Sequence, residues 1–237
     1  MCGIVGFLGK KNSYLLNKMT DLISHRGPDQ DIKIEKDSIN LGFRRLSIND
    51  LVSGDQPFYD KKNKIGVFCN GEIYNHLYLR KDLENKKYLF KSKNDCEVIL
   101  HGFREYGLNF INKINGMFFI LIWDEINKKI YLIRDRLGIK PCYYTYINDE
   151  FFFSSEIKPL LENKNLKKTL NYNSINFYLS ARYTPSSNNL IKEIKTLEPG
   201  SVLEVGFKSQ KIIKYWNNDT KGNEEDNLKN LLINSTN

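Results

Sequence analysis

The sequence is short of paired cysteines, of histidine and of long apolar runs, and each shortage removes a class of function. Four cysteines, Cys2, Cys69, Cys96 and Cys142, are scattered through 237 residues without a Cys-x-x-Cys pair, and the three histidines are equally dispersed. A metal centre built on clustered ligands is therefore not expected. Free thiols in a reducing compartment, the cytoplasm, are the expectation. No stretch reaches the ~18 apolar residues that a membrane-spanning helix needs, so no membrane role is expected. The strongest run, Met117 to Trp123 (MFFILIW), reads as a buried strand. No apolar segment precedes Cys2, which argues against a signal peptide and against a lipid-bearing secreted cysteine. Lys and Arg exceed Asp and Glu by 36 to 28, for a net charge of +8. The charges are interspersed and form no like-signed block, so nucleic acid is not an expected partner.

What is present suits one sizeable domain, or one domain and a piece of another: 41% of the residues are hydrophobic and 13% aromatic. Gly3–Leu8 reads as a short buried strand. Residues 12–24 place Leu15, Leu16, Met19, Leu22 and Ile23 at helical spacing. Gly27 and Pro28 break that pattern, and strand-like runs follow at 39–48 and 65–69. Residues 95–106 form a second helix candidate, with Asp95 as cap and Gly107 as stop. Hairpins are expected at 117–134, at 141–154 with the turn on Asn148 and Asp149, and at 201–216. Short helices fit 157–161 and 173–179. The fold class is α+β, rich in antiparallel strands. After Trp216 the segment NNDTKGNEEDN is linker-like, and Leu228, Leu231 and Leu232 begin a helical pattern.

The second residue carries the chemistry. Removal of the start methionine is favoured before a small side chain, and it would leave Cys2 with a thiol and a free α-amine on one residue. An α-amine titrates near pH ~8, so part of it is neutral at pH 7 and can serve the adjacent thiol as base. A cysteine at this position is uninformative by itself. The rigid run GIVGF behind it matters, because a strand holds the terminus in place.

The motifs MCGIVGF, HRGPD (25–29), RRLSI (44–48), QPF (56–58), NGEIYN (70–75), DCEVI (95–99), NGMF (115–118), RDRLGIKPCYY (134–144) and SSEIKPLL (154–161) occur in that order. Together they resemble the glutaminase domain of asparagine synthetases, a class II glutamine amidotransferase of the N-terminal-nucleophile hydrolase type. The resemblance implies a four-layer αββα sandwich of two antiparallel sheets. It also implies glutamine as substrate, hydrolysed to glutamate and ammonia through a thioester on Cys2.

By the same resemblance Arg45 grips the α-carboxylate of glutamine, for which a guanidinium's paired donors are suited. Asp95 takes the α-ammonium. Leu46, Ile48 and Asn49 line the pocket, partly through backbone groups, and Glu72 lies near the substrate amide; relatives often have valine where Asn49 stands. Asn70 and Gly71 supply the oxyanion hole, although NG is also a common tight turn, and Asp95 is also a good helix cap. HRGPD is expected as a loop near the site, with Arg26 a candidate for joining the site to what lies beyond. RDRLGIKPCYY is expected to turn the chain between strands. His76, His101, Cys69 and Cys142 are expected to be structural.

The expected domain runs over residues 1–216. Residues 217–237 resemble the linker and first helix of the family's ATP-dependent synthetase domain, whose SGGxDS loop does not occur in this sequence. No cofactor is expected in this chain; ATP and magnesium belong to that other domain, present in cis or as a subunit in trans. A homodimer, an acceptor other than aspartate and a catalytically idle glutamine-binding module stay open as alternatives.

Overall fold

The computed structural model describes residues 1–51, 53–185, 189–206, 209–217 and Ile233. Apart from Asn217 and Ile233, the linker and helix expected over 217–237 lie outside the described residues. The chain begins with β1 (Gly3–Leu8), α1 (Ser13–Asp21), β2 (Gln30–Lys36), β3 (Ile39–Arg45), β4 (Phe58–Asp60) and β5 (Ile65–Ile73). It continues through α2 (His76–Asn85), α3 (Glu97–Tyr106), β6 (Gly116–Asp124), β7 (Lys129–Arg134), β8 (Tyr143–Ile147) and β9 (Glu150–Ser154). The last elements are α4 (Ile157–Leu160), α5 (Tyr172–Ala181), β10 (Lys195–Thr196), β11 (Ser201–Gly206) and β12 (Gln210–Lys214).

The strands form two sheets, ordered β10-β8-β9-β1-β3-β2 and β12-β11-β7-β6-β5-β4, with antiparallel pairings throughout. The period-2 alternation of strands divides the apolar side chains into three cores. Ile4, Phe43, Phe68, Phe119, Leu121, Trp123 and Phe153 meet between the sheets. Val5, Phe7 and Phe152 point the other way, against Leu16 and Met19 of α1, Ile23 just beyond it and Leu160 of α4. Cys69, Phe118, Ile120 and Ile122 face Leu79 and Leu83 of α2 and Val98 and Ile99 of α3. The order is helix, sheet, sheet, helix. A strand buried on both faces has no polar side, which is why β6 reads as an unbroken apolar run.

Most of the expected elements are present. The β8–β9 hairpin turns on Asn148 and Asp149, both at positive φ (49° and 64°), the geometry that matches strand twist. α2, β2, β4 and β10 were not apparent from spacing. The cap of α3 is a correction. Cys96 occupies the cap position, and Asp95 makes no capping bond there. Its carboxylate instead accepts the N–H of Ile73 on β5 at 2.7 Å, because the chain enters α3 with Asp95 turned toward the sheet edge.

Glu97, in the first turn of α3, closes the preceding loop. It accepts the N–H groups of Lys91 and Ser92 at 2.8 Å each and the Ser92 hydroxyl at 2.6 Å. Burial alone would raise its pKa, but the His101 imidazole, with Nε2 3.5 Å from Oε1, and the hydrogen bonds from Ser92 and the loop backbone outweigh burial and bring it down to about 2. A carboxylate with a depressed folded-state pKa contributes stability above its unfolded value and loses it as pH falls toward the folded one. Glu97→Gln is therefore expected to cost about 2–3 kcal/mol at pH 7 and much less at pH 3. Urea unfolding at both pH values checks this.

Candidate active site

Strand β1 delivers Cys2 to one end of the two sheets. Gly3 pairs with Arg44 on β3. Ile4 donates its N–H to Ser155 Oγ at 3.0 Å, and its carbonyl accepts the Ser155 N–H at 2.8 Å. Arg26 donates Nε–H to the carbonyl of Cys2 at 2.9 Å and Nη1–H to Glu156 at 2.9 Å. Arg26 is thus turned inward and ties the Cys2 backbone to Glu156. His25 lies 3.0 Å from the same Glu156. His76 faces the Ile73 carbonyl, and His101 is buried on α3 against Tyr88 and Phe90.

A cavity of about 170 Å³ opens at Cys2, and all nine residues expected at the site line it: Cys2, Arg45, Leu46, Ile48, Asn49, Asn70, Gly71, Glu72 and Asp95. Its size is small beside the ~300–1,000 Å³ of sites for drug-sized ligands and suits one amino acid. Also in the lining are Gln56, Cys69, Asn94, Cys96, Met117 and Lys140, to which sequence reasoning gave no role in the site. The motif QPF was a signal for Gln56. Its side-chain amide accepts the N–H of Cys69 at 2.7 Å and donates to the Cys69 carbonyl at 3.1 Å.

Those bonds leave one N–H of the neighbouring strand edge open. In an antiparallel ladder, alternate residues turn their N–H and C=O toward the same edge. Cys69, Gly71 and Ile73 share the edge of β5 beyond β4; the Cys69 N–H is taken by Gln56 and the Ile73 N–H by Asp95. The Gly71 N–H stands between them. A Cβ at Gly71 would come within 2.1 Å of the Met117 carbonyl oxygen, so β6 can approach this closely only past a glycine. Beside it, Asn70 is 1% exposed and its Nδ2 has no hydrogen-bond partner among the described residues. A buried donor left unsatisfied costs free energy until something accepts from it.

Asp95 is a second unmatched group. It is 4% exposed and forms no ion pair within 4.0 Å among the described residues. Its oxygens accept from Ile73 N–H and, more weakly, from Asn49 Nδ2 at 3.5 Å and the Cys96 thiol at 3.6 Å, none of them a cation. A buried carboxylate without a cation favours an incoming ammonium. Arg45 differs: it is 4% exposed, but Nη1 donates to Asp55 at 2.7 Å and Nη2 to the carbonyls of Asn49 and Asp50. A substrate carboxylate at Arg45 meets an anion already there.

The thiol is half-buried. The Leu46 N–H points to its sulfur at 3.4 Å. Burial raises the Cys2 pKa, while the Leu46 N–H, the terminal amine and Arg45 pull it back. Met1 still precedes Cys2 in this chain, and burial lowers the pKa of its α-amine.

The thiol of residue 2 thus stands at the end of a two-sheet sandwich, in one cavity with Asn70 and Gly71. The comparisons place this arrangement among known proteins. Glutamine phosphoribosylpyrophosphate amidotransferase of Bacillus subtilis superimposes with a TM-score of 0.63 at 17% identity, over 92% of this chain and 50% of that one, a likeness of fold. The chain belongs to the glutamine amidotransferase domain family, whose model matches residues 1–216. It is 37% identical to glutamine-hydrolysing asparagine synthetase 2 of Bacillus subtilis over 91% of this chain and 30% of that protein. With asparagine synthetase 1 of the same organism the identity is 38%, over 85% of this chain and 33% of that one. The chain thus spans about a third of the length of these relatives.

Proposed function

We propose that the chain, once Met1 is removed, hydrolyses glutamine to glutamate and ammonia at Cys2. The observation that carries this reading is the pair of unmatched buried groups beside the sulfur: the Asn70 amide donor and the Asp95 carboxylate. A carboxamide with a free α-ammonium satisfies both at once. The free α-amine of Cys2 takes the thiol proton, and the thiolate adds to the side-chain carbonyl carbon of glutamine. The oxyanion accepts hydrogen bonds from Asn70 Nδ2 and Gly71 N–H. The C–N bond then breaks, and the α-ammonium of Cys2 returns its proton to the leaving ammonia. Water adds to the thioester with the amine again as base, the C–S bond breaks, and glutamate leaves as the sulfur is reprotonated. Asp95 and Arg45 hold the α-ammonium and α-carboxylate, selecting a free amino acid over a glutamine within a peptide.

By similarity to the two synthetases, the ammonia serves an asparagine synthetase-type partner in cis or in trans, which would bind ATP and magnesium and act in the cytoplasm. The purified chain, with Met1 loss verified by intact mass, is expected to release equimolar glutamate and ammonia from glutamine and neither from a peptide with internal glutamine. A processed, folded chain that leaves glutamine intact would refute the reading.

Asp55 supplies a finer test. Its carboxylate competes for Arg45 with the substrate's own. Its side chain is 65% exposed, so the pair is worth no more than about 1 kcal/mol. Asp55→Asn is expected to lower KM for glutamine about three- to fivefold with kcat unchanged. Steady-state kinetics decide it, and an unchanged or higher KM removes Asp55 as a competitor.

A further inference from the structure

The motif RDRLGIKPCYY takes no part in the reaction above, yet its turn is held firmly. Asp135, 1% exposed, accepts the N–H groups of Leu137 and Ile139 on Oδ1 and of Lys140 and Phe118 on Oδ2, all at 2.9–3.2 Å. Arg134, 8% exposed, donates to the carbonyls of Gly138, Lys140 and Leu197 at 2.6–3.0 Å. Both ends of Lys140's backbone are thereby fixed, N–H to Asp135 and C=O to Arg134. The product of this clamp is a lysine that is 6% exposed and lines the same cavity as Met1 and Cys2. Its Nζ makes no hydrogen bond or ion pair with the described residues. A lysine serving only packing would run its stem along the surface and put its ammonium in water, or pair it.

Several charged groups face the terminus. Arg26 bonds the Cys2 carbonyl, and Asp29 follows it on the same loop. Across the cavity stand Arg45, already tied to Asp55, with Asp95, Glu72 and the thiols of Cys69 and Cys96. Lys140 is the cation among them with no anion of its own. A nearby positive charge disfavours protonation of an amine and favours ionisation of a thiol, and both directions serve a nucleophile that carries its own base. For the Met1 α-amine burial is the larger cause of its lowered pKa; Arg26 and Lys140 add to it, while Cys2 and Asp29 oppose it.

We propose that Lys140 is a positioning residue whose ammonium, in the cavity it shares with the N-terminal thiol and amine, biases that pair toward thiolate and neutral amine. This rests on the reading of Cys2 as the nucleophile. The test follows the pH dependence of Cys2 alkylation by iodoacetamide, located by peptide mass, in the Met1-free chain and in Lys140→Met and Lys140→Arg. The same proteins are assayed for kcat/KM with glutamine across pH. Lys140→Met is expected to move the alkylation midpoint and the acidic limb of kcat/KM upward by about 1 pH unit, while Lys140→Arg follows wild type. A Lys140→Met midpoint that stays in place or falls overturns the proposal, even where turnover drops. Should Lys140→Met not fold, Lys140→Gln gives the same comparison. If wild type leaves glutamine intact, the functional reading fails, but the alkylation midpoints still decide the part played by Lys140.

Discussion

Replacing Cys2 with alanine is expected to lower kcat for glutamine hydrolysis by about 10⁴-fold or more while leaving glutamine binding close to wild type. The size follows from the step lost: without sulfur no thioester forms, and only the oxyanion donors and bound geometry act on a direct attack by water. Binding is expected to survive because, in the proposed reading, Asp95 and Arg45 take the other end of the substrate, and they are held by Ile73 of β5, Asn49, Asp50 and Asp55 rather than by the thiol. Calorimetric titration of Cys2→Ala with glutamine, beside a glutamate-release assay, separates a catalyst from a catalytically idle glutamine-binding module. Activity undiminished by the change excludes thiol chemistry. A chain that keeps Met1 is expected to match Cys2→Ala in turnover, since its Cys2 nitrogen is an amide and cannot act as base.

The second large effect belongs to Asn70. Asn70→Ala is expected to lower kcat by about 10²–10³-fold, with KM within a few-fold of wild type. The Asn70 Nδ2 has no partner to lose among the described residues, so the change breaks no hydrogen bond of that group with them. The bond forgone is the one formed as the carbonyl oxygen takes on negative charge, which lowers kcat and kcat/KM together. Urea unfolding of the variant should stay within about 1 kcal/mol of wild type. A KM effect without a kcat effect would mean that Asn70 binds the ground state, and a large stability loss would mean that its role is structural.

Much of this architecture was legible because burial imposes periodicity. The fully apolar β6, the turn at Asn148 and Asp149 and the stop of α3 at Gly107 (φ 58°) are local consequences of local residues. β2, by contrast, is an edge strand with mixed exposure, and α2 buries only Leu79 and Leu83, so neither carries a strong apolar stripe. Asp95 shows how a correct local rule can lose to the fold. Aspartate before a helix is a good cap, but the β5 edge offered the Ile73 N–H, and the helix was left to Cys96.

The amino-acid order alone settled which chemical groups this protein owns and in what local setting: a thiol at position 2 ahead of a rigid strand, an amide before a glycine, a guanidinium at Arg45 and a carboxylate at Asp95. Those depend on residue type and near neighbours. Which groups face one another was decided only when β1, β3, β5 and the 134–144 turn came together. Arg45 found Asp55, Arg26 turned in to hold the Cys2 carbonyl, and Lys140 reached the cavity of Cys2 without a counter-ion among the described residues. Pairings between charges far apart in the chain follow from the closure of two sheets and the loops that join them, and no spacing along the chain encodes them.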